Sequence, residues 1–330
     1  MHEDRRADII ERIGAKRGTQ LVVAGMCLTL VVAYCIHHAS DLQTLHRLDP
    51  LDVATFFLLA ALANLIGAYK LFLMLNWLGL KQIGFLKWLG IFVGSRFANF
   101  YVTQGANVYR AVKLKREHAL SYSESVGLTG VITCLDTASV LFVTGLLILV
   151  GGRFQPSAGL LILASAFVAV SPLVILPYVV RRFAPSDAPQ RPAWLAWAGN
   201  RTRVLSEVLA RCTRDVQTIG FISGMTILVY LAVLASTAVC LTAFGGHVSM
   251  FNAALLTSVL MLSRAINIVP GNLGVSEFLA GVSTSVLMDQ AMYGVMIAAI
   301  FRIVDFMVIG IAFLVLTIRP RATTNHHSIE

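Results

Sequence analysis

SRFAN, residues 95–99, and SRAIN, residues 263–267, are nearly the same pentapeptide, and both stand inside apolar stretches. Arginine and asparagine are costly there. A charged side chain at mid-membrane costs at least about 2.5–3.5 kcal/mol on insertion scales, so it faces a polar cavity or a partner. Two such sites, 168 positions apart, point to an internal repeat. The same offset lays Val102 on Pro270 and Ala106 on Gly274, so the turns VTQGA and PGNLG occupy equivalent places after the two pentapeptides. Asp136, in CLDTASVLFV, meets Asp305, in RIVDFMVIGI, with one residue of slippage. Upstream, residues 52–78 correspond to residues 218–244. Each half reads as span, broken hairpin, span.

The surroundings are those of a membrane protein: 57% of residues are hydrophobic, 13% are charged, and the mean hydropathy is +0.77. Crossing a hydrocarbon core of about 30 Å takes about 20 helical residues. Runs of that kind lie at 19–36, 52–78, 127–150, 158–180, 218–244 and 291–317. Residues 85–101 are apolar but short, carry Arg96 and Asn99, and sit between basic flanks, so they enter the membrane and return. The stretch 251–288 is broken by PGNLG, where proline lacks an amide donor and glycine resists helix, which predicts two half-helices meeting at a turn. A re-entrant hairpin and two full spans both return to the starting side, and the charge pattern leaves that choice open. The expected fold is an all-α polytopic membrane protein with about six full spans plus two broken or re-entrant hairpins, arranged as inverted repeats.

The net charge of +9 belongs to the loops, not to a nucleic-acid surface. Twenty of the 26 Lys and Arg cluster before residue 19, at Lys81 and Lys87, in 110–116, in 181–214 and after residue 317, alternating with basic-poor loops. Both termini are therefore expected in the cytoplasm, with the N-terminal and C-terminal halves in opposite orientation. The expected organisation is a charged or amphipathic N-terminus at 1–18, a first transmembrane half at 19–180 with its hairpin at about 85–110, and a basic cytoplasmic linker at 181–215. A second transmembrane half at 216–318, with its hairpin at about 251–288, and a cytoplasmic tail at 319–330 complete it. Five scattered cysteines without paired CxxC spacing indicate neither a disulfide framework nor a metal site, and no cofactor is expected.

Lys70, Arg96, Arg264 and Arg302 are left in apolar surroundings. Arg96 and Arg264, one per half, either contact a lipid phosphate through paired guanidinium donors or bond the carbonyls of the broken turns. Asn99 and Asn267 satisfy backbone groups released at those turns or hydrogen-bond a headgroup. Glu277 opens the second arm of the later hairpin, where it caps a helix N-terminus or pairs with Arg264 or Arg302 across a cavity. Arg302 and Asp305, three apart on one helix, are expected to neutralise each other, and Lys70 to snorkel. Arg110 opens a basic cluster that attracts anionic headgroups. Asp136 and the turn residues Pro270, Gly271 and Gly274 complete the candidate lipid-binding set.

PGNLGVSEFL, followed by an arginine in the last span at AAIFRIVDF, resembles the lysylphosphatidylglycerol synthase transmembrane region, a flippase-like family. Pro270, Gly271, Leu273, Gly274, Glu277 and Arg302 match its pattern. In the first half Asn99 and Arg110 match, whereas Val102, Ala106, Asn107 and Thr133 depart from it. The resemblance implies a stand-alone integral protein of a bacterial cytoplasmic membrane. No soluble synthase domain follows the last span, so aminoacyl transfer is not expected.

These observations lead to a translocator of an anionic phospholipid or a polyprenyl-phosphate-type lipid, working through a polar cavity between inverted halves. Its partners are membrane lipids with anionic headgroups, with a homodimer left open, and no nucleic acid. The competing readings are a non-transporting scaffold or regulatory subunit, and an intramembrane lipid-modifying enzyme. The sequence lacks HExxH and GxSxG elements and any His–nucleophile pair at membrane depth, which weighs against the enzyme.

Overall fold

The structure is a computed structural model and describes residues 49–77, 83–151, 156–183, 207–208, 210, 215–244, 249–264 and 269–318. The expected span at 19–36, the segment 1–18, most of the 181–215 linker, the tail at 319–330 and Asn267 lie outside these residues. The described helices are α1 (Pro50–Trp77), α2 (Phe85–Tyr101), α3 (Gly105–His118), α4 (Tyr122–Gly151), α5 (Pro156–Phe183), α6 (Val216–Ala243), α7 (Met250–Ser263), α8 (Val275–Met288) and α9 (Ala291–Ile318). A 3-10 turn, Pro270–Asn272, separates α7 from α8. No strand occurs among the described residues. The chain is an all-α polytopic membrane protein.

Five of the described helices, α1, α4, α5, α6 and α9, are long and apolar enough to cross a membrane. Their outward faces carry exposed Leu58, Leu161, Phe167 and Ile311, as a lipid-facing surface requires. The arms α7 and α8 have 14 residues each. At 1.5 Å per residue each arm reaches about 21 Å, short of a hydrocarbon core of about 30 Å. The described lengths fit a re-entrant hairpin, one of the two alternatives that the charge pattern left open. The first hairpin is longer than the sequence suggested, because α3 continues through Lys115 and Arg116 to His118 instead of ending near residue 110.

The two hairpin tips share a backbone device. Gln104 has φ 60° and Asn272, its equivalent under the 168-residue offset, has φ 58°. Both are left-handed, a conformation that turns the chain sharply between helical arms. Gly274, at φ 81°, then starts α8 and donates its N–H to the Glu277 carboxylate at 2.9 Å.

Packing shows how the halves interlock. Trp77, at the end of α1, donates through Nε1 to Asp215 at the start of α6, at 3.1 Å. Phe56, near the start of α1, is buried with Leu241 and Phe244 at the end of α6. The two equivalent helices thus lie side by side and antiparallel, as inverted repeats demand. One core, built on α1, α2 and α4, takes in Ile222 of α6 and Ile309 of α9. The other, built on α6, α7, α8 and α9, takes in Phe56 of α1 and Val140 of α4. Phe56 falls on Ile222 and Val140 on Ile309 when the repeats are superposed, so each half lends the other the same two positions. The hairpins cross over in the same way. The first arm α2 packs on α9, and α7 packs on α4. Phe97 of α2 stacks on Phe313 of α9 at 4.8 Å between ring centroids.

Helices α8 and α9 meet through small residues, the mode of association that apolar solvent favours because backbones can approach closely. A Cβ on Gly294 would run into the Ala280 carbonyl group and Thr284 Oγ1, whereas one on Gly224 would meet nothing within 4 Å. Gly294→Ala is expected to destabilise the detergent-solubilised protein by about 1–3 kcal/mol through overpacking. Gly224→Ala is expected to leave it unchanged or slightly more stable. Equal thermal midpoints for the two variants would contradict this α8–α9 packing.

Asp215 also accepts from the Thr218 hydroxyl and from the Thr218 and Gln217 amides, contacts that hold its carboxyl below the usual carboxylate range. A carboxylate with a lowered folded pKa stabilises the fold above its unfolded pKa, and loses that contribution as pH falls through the folded value. Asp215→Ala should therefore lower the thermal midpoint at neutral pH. The gap to wild type should close below about pH 4. A gap that stays constant into acid would show that the ionised carboxylate is not what holds α1 to α6.

Candidate functional site

The seam between the halves holds two adjoining cavities, and Arg96 and Arg264 line both. The first cavity is walled by Arg96, Asn99 and Phe100 of α2, by Arg264 after α7, by Gly271 and Asn272 of the broken turn, by Ser276 of α8, and by Arg302 and Asp305 of α9. The second is walled by Asn64, Gly67 and Lys70 of α1, by Thr133, Asp136 and Thr137 of α4, and by the same two arginines. Neither half alone supplies the polar lining. Among the described residues no three His, Cys, Asp or Glu side chains converge, so the chemistry on offer is that of guanidinium, ammonium, carboxylate and amide groups.

The ion pairs of the first cavity run between elements. Arg96 Nη2 lies 3.0 Å from Asp305 Oδ2, joining the first hairpin to the last span. Asn64 of α1 donates to the other oxygen of Asp305 at 2.7 Å. Arg302 Nη1 lies 2.7 Å from Glu277 Oε1, and its Nη2 donates to the Asn272 carbonyl at 2.7 Å. The expected neighbour pair Arg302–Asp305 is thus replaced by two pairs to different elements. Side chains three apart on a helix pair locally only when nothing better faces them, and here Glu277 and Arg96 face them. Glu277 combines the two roles set out for it: one oxygen caps α8 at Gly274 and the other holds Arg302.

The second cavity contains what sequence reasoning missed. Lys70 does not snorkel; its side chain is 7% exposed, with Nζ 2.5 Å from Asp136 Oδ1. Thr226 of α6 donates to the same oxygen at 2.6 Å. A signal was present in the spacing, since Asn64, Gly67 and Lys70 recur every third residue on one broad face of α1 and all line this cavity. Asn272, the middle residue of PGNLG, is the clasp of the second hairpin, a role its place in a turn motif does not reveal. Its amide donates to the Ser263 carbonyl at 2.6 Å and to Ser276 Oγ at 2.9 Å, tying the end of α7 to the start of α8.

Among the remaining candidates, Arg110 lines neither cavity. It turns onto its own helix, with Nη2 2.5 Å from Asn107 Oδ1 and Nε 3.2 Å from the Ala106 carbonyl. Asn107 and Glu277 are third residues of their arms and each holds an arginine, Asn107 through its amide oxygen on the same helix and Glu277 through its carboxylate across to the last span. Gly271 lines the first cavity and Gly274 caps α8, with the 3-10 turn beginning at Pro270. Asn99 lines the first cavity beside Arg96. Arg264 makes no hydrogen bond or ion pair among the described residues.

In comparisons with known proteins, the family model described as lysylphosphatidylglycerol synthase TM region matches residues 19–312. No curated protein and no solved structure matches the chain. The match takes in both hairpins, both cavities and every ion pair described above, and on that extent the chain belongs to the lysylphosphatidylglycerol synthase TM region family.

Proposed function

We propose that this protein translocates an anionic lipid, its headgroup passing through the seam between the inverted halves. One observation carries the reading: two adjoining cavities within the membrane-spanning bundle share a pair of arginines, Arg96 and Arg264, that occupy equivalent positions of the two repeats. Broken helices at a repeat interface are where transporters hold substrate, because freed backbone groups and polar side chains line a route through hydrocarbon. Guanidinium groups offer paired donors for phosphate oxygens. The lipid tails would remain in the bilayer beside the seam.

The proposed setting is a bacterial cytoplasmic membrane with both termini in the cytoplasm. Under that orientation the basic end of α3 lies at the cytoplasmic leaflet, where Lys113, Lys115 and Arg116 draw anionic headgroups at roughly 1 kcal/mol per charge. The sequence contains no P-loop or other nucleotide-binding motif, so the movement is passive or coupled to an ion.

The full chain, reconstituted into phosphatidylcholine vesicles with a fluorescent phosphatidylglycerol, tests the reading through accessibility of the outer-leaflet label to a membrane-impermeant quencher. Wild-type protein is expected to expose inner-leaflet label faster than empty vesicles do. The double variant Arg96→Ala/Arg264→Ala is expected to be slower by about tenfold or more, the effect of losing charge-assisted hydrogen bonds. Absence of transport by the wild type for every anionic lipid tried, or an undiminished rate in the double variant, would sink the proposal.

A further inference from the structure

The repeats hold their two aspartates between equivalent elements but not with the same set of charges. Asp305 is held by Asn64 of the opposite half's span α1 and by Arg96 of the opposite half's hairpin. Asp136 is held by Thr226 of the opposite half's span α6, the equivalent element, from a position one turn before Tyr230, the residue that falls on Asn64. The symmetry also assigns Asp136 to Arg264, the equivalent of Arg96. Lys70 stands there instead, 2.5 Å away. When residues 52–78 are laid on 218–244, Lys70 falls on Ser236, whose hydroxyl merely donates to Ala232 of its own helix at 3.0 Å. The first half therefore carries one cation that the second lacks, and that cation occupies the carboxylate assigned by symmetry to Arg264.

We propose that Lys70 sets the anion specificity of the site by keeping Asp136 engaged, so that Arg264 stays available to bind one singly charged oxyanion, the phosphodiester of a lipid headgroup. The charge balance fits that ligand. Among the charges that line the two cavities and their ion partners, Lys70, Arg96, Arg264 and Arg302 face Asp136, Glu277 and Asp305, which leaves a single positive charge, and of these four cations Arg264 is the one without an ion pair among the described residues. A singly charged headgroup completes the balance in a low-dielectric site, where any uncompensated charge is costly. The planar guanidinium supplies paired donors to the two free oxygens of a diester. Ser276 and Asn99 line the same cavity and present polar groups to headgroup hydroxyls. Lys70 itself acts as a positioning residue and need not touch the ligand.

The inference rests on the translocation reading, and its test reads binding apart from transport. Full-length protein in phosphatidylcholine nanodiscs is titrated with phosphatidylglycerol, and the retained lipid is measured by native mass spectrometry. Wild type is expected to enrich phosphatidylglycerol over phosphatidylcholine, and Arg264→Gln to weaken that enrichment by about tenfold or more. Lys70→Met is expected to weaken it comparably, because Asp136 then captures Arg264. Lys70→Met/Asp136→Asn, which removes the capturing carboxylate, is expected to restore it. This double variant and Arg264→Gln decide the matter if Lys70→Met does not fold.

Wild-type enrichment in Arg264→Gln, or in a folded Lys70→Met, overturns the proposal, as does a folded double variant that stays as weak as Arg264→Gln. Competition by glycerophosphoglycerol, with inorganic phosphate much weaker, supports a diester headgroup. Inorganic phosphate competing equally well overturns the lipid assignment. Transport that is lost in Arg96→Ala/Arg264→Ala, alongside retention that ignores Lys70, removes this inference and leaves translocation standing. Lys70-dependent retention without transport does the reverse.

Discussion

A guanidinium among membrane-spanning helices needs a polar partner, and Arg96 of the first hairpin meets its carboxylate, Asp305, on the last span of the other half. The architecture depends on this crossing contact. It fixes the first hairpin against α9, and the stacked rings of Phe97 and Phe313 extend the same seam away from the charges. The counterpart hairpin leans on α4 by an apolar and hydroxyl contact, in which Thr144 donates to Ser258 at 2.7 Å. The two crossings are equivalent in topology and different in chemistry.

That difference runs through the whole site. In the second half, Glu277 and Arg302 form a pair that closes the hairpin onto its own last span and also caps α8. The corresponding places in the first half are Asn107 and Thr133, both neutral, and the first-half hairpin instead satisfies Arg110 within α3. An acidic and a basic residue are thus absent together, as electrostatics requires, since either alone would leave a charge without a partner in a low-dielectric region. Lys70 and Asp136 supply a different pair between α1 and α4. Inverted repeats that share a backbone plan can therefore diverge in charge, provided each substitution is balanced nearby.

Much of this was legible in the chain. The all-α membrane fold follows from apolar runs of about 20 residues, and the repeat from SRFAN and SRAIN at a fixed offset. The broken hairpin follows from PGNLG. Glu277 paired with Arg302 was one of the two roles set out for it. The pairing of Asp305 was not legible, because Arg302 stands three residues away on the same helix and sequence distance favours it. Lys70 was missed for a similar reason: a lysine near the end of a span normally reaches for the interface, and only the approach of α4 and α6 shows that a carboxylate and a hydroxyl await it inside.

The sequence by itself determined the long apolar spans at 52–78, 127–150, 158–180, 218–244 and 291–317, the break at PGNLG, and the repeat of one half in the other. Those properties depend on hydropathy, on proline and glycine at fixed places, and on residues that recur at a fixed offset. Tertiary structure decided which charge meets which. Partners in a low-dielectric interior are chosen by proximity in space, and Arg96 with Asp305, or Lys70 with Asp136, are neighbours only after the two halves have been pressed together.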